Sequence, residues 1–179
     1  MKKNVWIALL LVCVCFGLLF SGGLKEKPNP EFLRIHIRAD SNDPNAQDIK
    51  YIVKDAITRD LAPKLADCDT KDKAMEVVRK NLDNFRTIAD NVLIKNGFDY
   101  VSSVRLAAEE FPERTYEELT LPAGVYDALI IELGSGEGQN WWCVVYPPLC
   151  FVGYEGNGGS GLTYRSKLVE IIESFFKNK

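Results

Sequence analysis

Histidine is almost missing from this chain: 179 residues contain one, His36, beside two methionines. There is no C-x-x-C and no H-x-x-x-H, so the spacings that usually announce a zinc site are absent. A basic surplus is also lacking. Lys and Arg number 22 against 25 Asp and Glu, a formal charge of −3 with a pI near 5.3. That balance argues against a dedicated nucleic-acid binder. Long hydrophobic runs are lacking too, save one at the N-terminus, which excludes a polytopic membrane protein. With 46% hydrophobic and 26% charged residues, disorder is excluded as well. No internal repeat is visible. What remains is one ordinary domain with something attached in front.

The attachment is Met1–Gly23. Lys2 and Lys3 precede an uncharged apolar run of sixteen residues, Val5–Phe20, and Ser21-Gly22-Gly23 follows. A helix of that length reaches roughly 24 Å, short of the ~30 Å bilayer core. The order of positive start, apolar stretch and small residues predicts a secretory signal peptide, with an uncleaved N-terminal membrane anchor as the alternative. Either way residues 24–179 are expected outside the cytoplasmic membrane. Leu24–Pro30, with two lysines and two prolines, reads as a linker, and residues 31–179 as the domain.

Outside the cytosol three cysteines matter: Cys68, Cys143 and Cys150. Cys143 and Cys150 flank Val144–Leu149 and its two-proline turn. If those flanks pair as a hairpin, the thiols come within bridging distance; otherwise they are two buried free thiols. Cys68 stands between Asp67 and Asp69, acids that raise a thiol's pKa, and reads as a spare thiol rather than a nucleophile.

Periodicity predicts the elements. Phe32–Ala39 alternates, with Leu33, Ile35 and Ile37 on one face and Arg34, His36 and Arg38 on the other: a half-buried strand with a basic second face. Asp43-Pro44 opens a helix that runs to the region of Pro63. A second helix starts near Thr70 and ends at Asn96-Gly97. Strands are expected over Tyr100–Ala108, Val125–Leu133 and Trp141–Tyr146, with an acidic loop and the turn-rich Gly134–Asn140 between them. Gly153–Gly161 is expected to be a mobile loop, and Ser160 or Thr163 to cap a last helix. The order β-α-α-β-β-β-α predicts an α+β fold: a mostly antiparallel sheet of about four strands, two early helices and one C-terminal helix.

No catalytic constellation stands out. Gly134–Gly138 lacks the Lys-Ser/Thr of a phosphate loop and leads into a strand, and Gly159-Ser160-Gly161 does not match a nucleophile elbow. Glu109, Glu110, Glu117 and Glu118 read as a solvated acidic face. Two segments do stand out. Arg34-x-His36-x-Arg38 followed by Asp40-Ser41-Asn42 places three basic groups on one strand face. Acids such as Asp40, Asp48 or Asp55, tying strand to helix, or a ligand must offset them. The other is Gln139-Asn140-Trp141-Trp142-Cys143 through Pro147-Pro148-Leu149-Cys150-Phe151. Two adjacent strand tryptophans must point apart, one into the core and one toward cover or a partner.

On these segments the chain resembles the stage II sporulation protein R family of endospore-forming bacteria. The family's Arg-x-His strand, Ala-Asn/Asp-Ser-Asn/Asp segment and Gln-containing helix match Leu33–Asn42 with Gln47, Lys50, Val53 and Asp55. Its Asn-Trp-Trp-Cys and Pro-Pro-Leu-Cys-Phe strings match Asn140–Cys143 and Pro147–Phe151. Asp40 departs where the family often has Asn, and Cys68 has no assigned family role. The resemblance implies a secreted, non-enzymatic signal without cofactor or metal. Such a signal is exported from the forespore into the space between the two sporulation membranes. There it activates the mother cell's membrane-embedded aspartic protease, stage II sporulation protein GA, through its outer domain. That protease processes the precursor of sigma factor E. No nucleic acid is implied, and membrane contact is through the leader only. Trp141, Trp142 and Tyr146 are the first candidate contacts, rigidified by a Cys143–Cys150 bridge, and Arg34, His36 and Asp40 the second. Alternatives are an extracytoplasmic hydrolase using His36 with a cysteine or acid, or a membrane-tethered cell-wall-binding module using Trp141 and Trp142.

Overall fold

A computed structural model describes residues 27–116 and 119–149. The leader, linker residues 24–26, Cys150, the Gly153–Gly161 loop and the expected C-terminal helix lie outside the described residues. The elements are β1 (Leu33–Arg38), α1 (Pro44–Leu65), α2 (Lys71–Lys80), α3 (Leu82–Lys95), β2 (Ser102–Phe111), β3 (Arg114–Tyr116), β4 (Leu119–Leu121), β5 (Gly124–Leu133) and β6 (Asn140–Tyr146).

The helices begin and end for local reasons. Asp43 caps α1 by accepting from the Asn45 amide at 2.9 Å, with Pro44 in the first turn. Its buried stripe Ile49, Val53, Ile57, Leu61 and Leu65 repeats every fourth residue, and Pro63 falls in the last turn, two residues before the helix ends. Thr70 caps α2. The single second helix expected from the apolar spacing is two helices. Asn81 donates its side-chain amide to the Val77 carbonyl at 2.8 Å and its backbone N–H to Val78 at 3.0 Å, with φ −111°, and the helix breaks there. Gly97, at φ +81°, ends α3, and Phe98 N–H reaches back to the Leu93 carbonyl at 3.1 Å.

The fold is α+β, with three helices among the described residues and a mixed four-stranded sheet in the order β2–β5–β1–β6. The expected mostly antiparallel sheet needs correction at its centre, where β1 and β5 run parallel; β1–β6 and β2–β5 are antiparallel. The reason is insertion. β5 and β6 are joined by a short turn, yet β1 lies between them, so that turn must cross the end of β1. The acidic loop expected between the second and third strands contains a hairpin, β3–β4, which pairs only with itself.

One face of the sheet carries the main core. Leu33, Ile35, Ile37, Leu129 and Ile131, all fully buried, pack with the stripes of α1 and α3. Each such side chain contributes about 1.5–3 kcal/mol by leaving water. The other face carries a smaller cluster of Phe32, Phe111, Leu121, Tyr126, Ala128, Ile130 and Val144, against which Tyr116 and Leu119 of the hairpin pack. β1 is therefore buried on both faces, not half-buried: Arg34 is 0% and His36 4% exposed. No helix among the described residues is long and apolar enough to cross a membrane.

Candidate functional site

The basic face of β1 has its acids, but not the expected ones. His36 Nδ1 lies 2.6 Å from Glu109 Oε2 on β2. A carboxylate accepts, so the contact is made with the proton on Nδ1, and Nε2 is buried without a partner among the described residues. Arg38 bridges Glu109 and Glu132, the latter at 2.7 Å, and Arg105 also pairs with Glu132, at 3.1 Å through Nη2. The Arg105 hydrogen bond, helped by Arg38, holds the Glu132 carboxyl below the usual glutamate range. In the register Ile130 of β5 lies between His36 and Arg105, and Ala128 between Arg34 and Ala107, so the network spans apolar residues of the intervening strand. The network ties strand to strand. Asp48 and Asp55 belong to α1, which packs on the opposite face, and Glu109 is part of the network rather than a solvated acid.

Arg34 stands apart from that network. Its Nη2 donates to the Tyr116 hydroxyl at 2.7 Å, and its guanidinium lies 4.1 Å from the Phe111 ring centre and 4.8 Å from that of Tyr126. Nε and Nη1 are buried without partners among the described residues. Burial pulls its pKa below the ordinary arginine value, and the charge of neighbouring Arg114 acts the same way, while Tyr116 and Tyr126 oppose them.

The tryptophans divide as the alternation of a strand requires. Trp141 packs against the main core on the helix side, with Lys54 Nζ 5.7 Å from its ring. Trp142 lies on the polar face, stacked on His36 at 5.3 Å and covered by the Arg114 guanidinium at 4.3 Å. Two tryptophans on opposite faces do not form one flat sugar-stacking platform. Tyr146 is 7% exposed in the main core, because a bulge between its pairing and that of Val144 turns it toward the helices. Of the six candidate contacts, Arg34, His36 and Trp142 therefore share a face, and Trp141 and Tyr146 lie on the other side.

Asp40 belongs to a different structure, a clasp at the end of β1. Its Oδ1 accepts from the Ser135 amide at 2.8 Å, and its carbonyl accepts from the Ser135 hydroxyl at 2.6 Å and the Glu137 amide at 3.2 Å. Asn42 Oδ1 accepts from the Gln139 amide at 2.8 Å, and Gln47 donates to the Ser41 carbonyl at 2.7 Å. Buried Lys50 completes the clasp, reaching Gln47 Oε1 at 2.7 Å and the Gln139 carbonyl at 3.0 Å, with its pKa lowered by burial. A methyl group at Gly138 would sit 2.2 Å from the Ser41 carbonyl oxygen. The two sequence motifs thus meet here, and their shared polar residues hold the crossing turn over β1.

Cys68 is buried and free, its pKa raised first by burial and then by Asp69 and Asp67. Cys68 and Cys143 both face the main core, across the sheet from His36, so neither makes a Cys-His pair with it. The expected partner of Cys143, Cys150, is outside the described residues. Among the described residues no group of three or more His, Cys, Asp or Glu could hold a metal ion. Sequence reasoning missed Glu132, Arg105, Arg114 and Tyr116. The only local signal was the alternation of Arg105, Ala107 and Glu109 along β2.

Comparison with known proteins bears on the same segments. The family model for stage II sporulation protein R matches residues 29–156. Stage II sporulation protein R of Bacillus subtilis (strain 168) is 32% identical over 169 residues, covering 86% of this chain and 73% of that protein. No solved structure matches.

Proposed function

Because the chain belongs to the stage II sporulation protein R family, we propose that it is an exported sporulation signal. Its target is the outer domain of the membrane-embedded aspartic protease, stage II sporulation protein GA, whose activation leads to processing of the sigma factor E precursor. The Lys-Lys start, the apolar run and the small residues of Met1–Gly23 support delivery from the forespore into the space between the two membranes. A bridge between Cys143 and Cys150 suits that compartment. The observation that carries the reading is Trp142. It sits on the polar face between His36 and Arg114, in a string that the family resemblance singles out, and it offers an aromatic anchor held rigid before any partner arrives. A ligand of this kind works by binding the active protease state more tightly than the inactive one.

Co-expression of the chain with the protease and the precursor tests the reading. Cleavage that depends on the chain is the expected result, and equal cleavage with and without it sinks the proposal.

A second reading has one observation in its favour. The carboxylate of Glu109 orients His36 and leaves Nε2 open, the arrangement of a general base. A His36→Ala protein that folds and still signals removes this hydrolase reading.

A further inference from the structure

We propose that Arg34 and Arg114 form a seat for a carboxylate side chain, supplied by an acidic segment of the protein partner that lies along the polar face. The inference rests on the reading of this chain as a protein ligand and adds the chemistry of the contact.

Three observations carry it. First, Arg34 is a fully buried cation with no carboxylate partner among the described residues, and two of its nitrogens are unsatisfied. Three rings and the Tyr116 hydroxyl face the guanidinium, but none of them is a counter-charge, which a buried ion calls for. Second, Arg114 puts another guanidinium beside it, with Trp142 as its described contact. Among the described residues of the strands, the polar face then carries Arg34, Arg38, Arg105 and Arg114 against Glu109 and Glu132, a positive surplus in a chain of net charge −3. Third, the β3–β4 hairpin that covers Arg34 has no ladder to the four-stranded sheet. It is held by side chains, notably Tyr116 to Arg34 and Arg114 to Trp142, so it can yield without breaking the sheet.

The chemistry selects a carboxylate. A planar guanidinium beside aromatic rings takes a flat, singly charged oxyanion through short charge-assisted hydrogen bonds.

The test has two arms. In the first, thermal unfolding of the full chain is followed in sodium acetate, sodium phosphate and sodium chloride at equal ionic strength. Acetate is expected to raise the midpoint by about 1–2 °C over chloride, and Arg34→Leu to abolish the difference. Equal midpoints in acetate and chloride overturn the seat, and a larger rise in phosphate than in acetate overturns the carboxylate. In the second, Arg34→Leu and, as an exposed-site control for folding, Arg114→Leu are compared in the co-expression assay. About ten-fold or greater loss of cleavage is expected from each. Wild-type cleavage by both variants refutes the inference while leaving the proposed function intact. An acetate effect without any chain-dependent cleavage refutes the function and leaves the seat.

Discussion

His36 and Glu109 meet across an intervening strand: Nδ1 and Oε2 are 2.6 Å apart although β5 lies between β1 and β2. Glu109 also takes Arg38, so one part-buried carboxylate satisfies two bases of β1. Removing it leaves His36 Nδ1 unpaired inside the protein and Arg38 with Glu132 alone.

Glu109→Gln should therefore destabilise the chain by about 1–3 kcal/mol. Its neighbour Glu110, exposed on the other side of β2, should tolerate the same change within about 0.5 kcal/mol. Urea unfolding checks both: the midpoint shifts for the first and not for the second, with the slope unchanged.

Acid should weaken the fold through Glu132. Its folded pKa is depressed by Arg105 and Arg38, so its contribution is fully present above the unfolded glutamate pKa, about 4.3. It fades as pH falls through the lower folded value. A Glu132→Gln variant should start less stable at neutral pH and lose less between about pH 5 and pH 3. Parallel acid titrations followed by circular dichroism decide it; curves that stay a constant distance apart count against the pairing.

Glycines should rank by what surrounds them. Gly138→Ala collides with the Ser41 backbone, and Gly134→Ala adds a collision with Asp40 Oδ1 at 2.2 Å to a φ of +57°. Either should cost about 2 kcal/mol or more. Gly97→Ala meets no atom within 4 Å and suffers only its φ of +81°, for about 1 kcal/mol. Thermal denaturation should return that order.

The tryptophans should separate stability from signalling. Trp141→Ala removes packing from the main core and should lower the melting temperature. Trp142→Ala should lower signalling about ten-fold or more with a smaller change in melting. A Trp142→Ala protein that signals fully removes it from the contact.

Thiol counting addresses the cysteines. Native exported protein should react slowly with a thiol reagent, because Cys68 is buried and its thiol held protonated. After unfolding of leader-free protein, one thiol should titrate; three would refute the bridge between Cys143 and Cys150.

What the sequence revealed follows the range of the interactions. Alternation in Leu33–Arg38, the Asp43 and Thr70 caps and the Gly97 stop are local signals, and each is visible in order along the chain. The break at Asn81 was hidden because Val78, Leu82 and Phe85 keep helical spacing across it. Parallel pairing of β1 with β5 leaves no local mark, since hairpin signals speak only of neighbours. At the site, the charges of Arg34, His36 and Arg38 announced a need for acids, but Glu109 and Glu132 lie 71 and 94 residues away from Arg38. Arg114 falls in the stretch expected to be an acidic loop, and only the hairpin places it on Trp142.

The inner position of β1 sets a timetable. Its two neighbours come from the far end of the described chain, and the clasp joins Asp40 to Ser135, 95 positions later. However the chain leaves the ribosome or crosses a membrane, its first strand must wait, uncommitted, until β5 and β6 arrive. A protein built this way cannot close its sheet early, which keeps a threading chain open for as long as its C-terminal half is still on the near side.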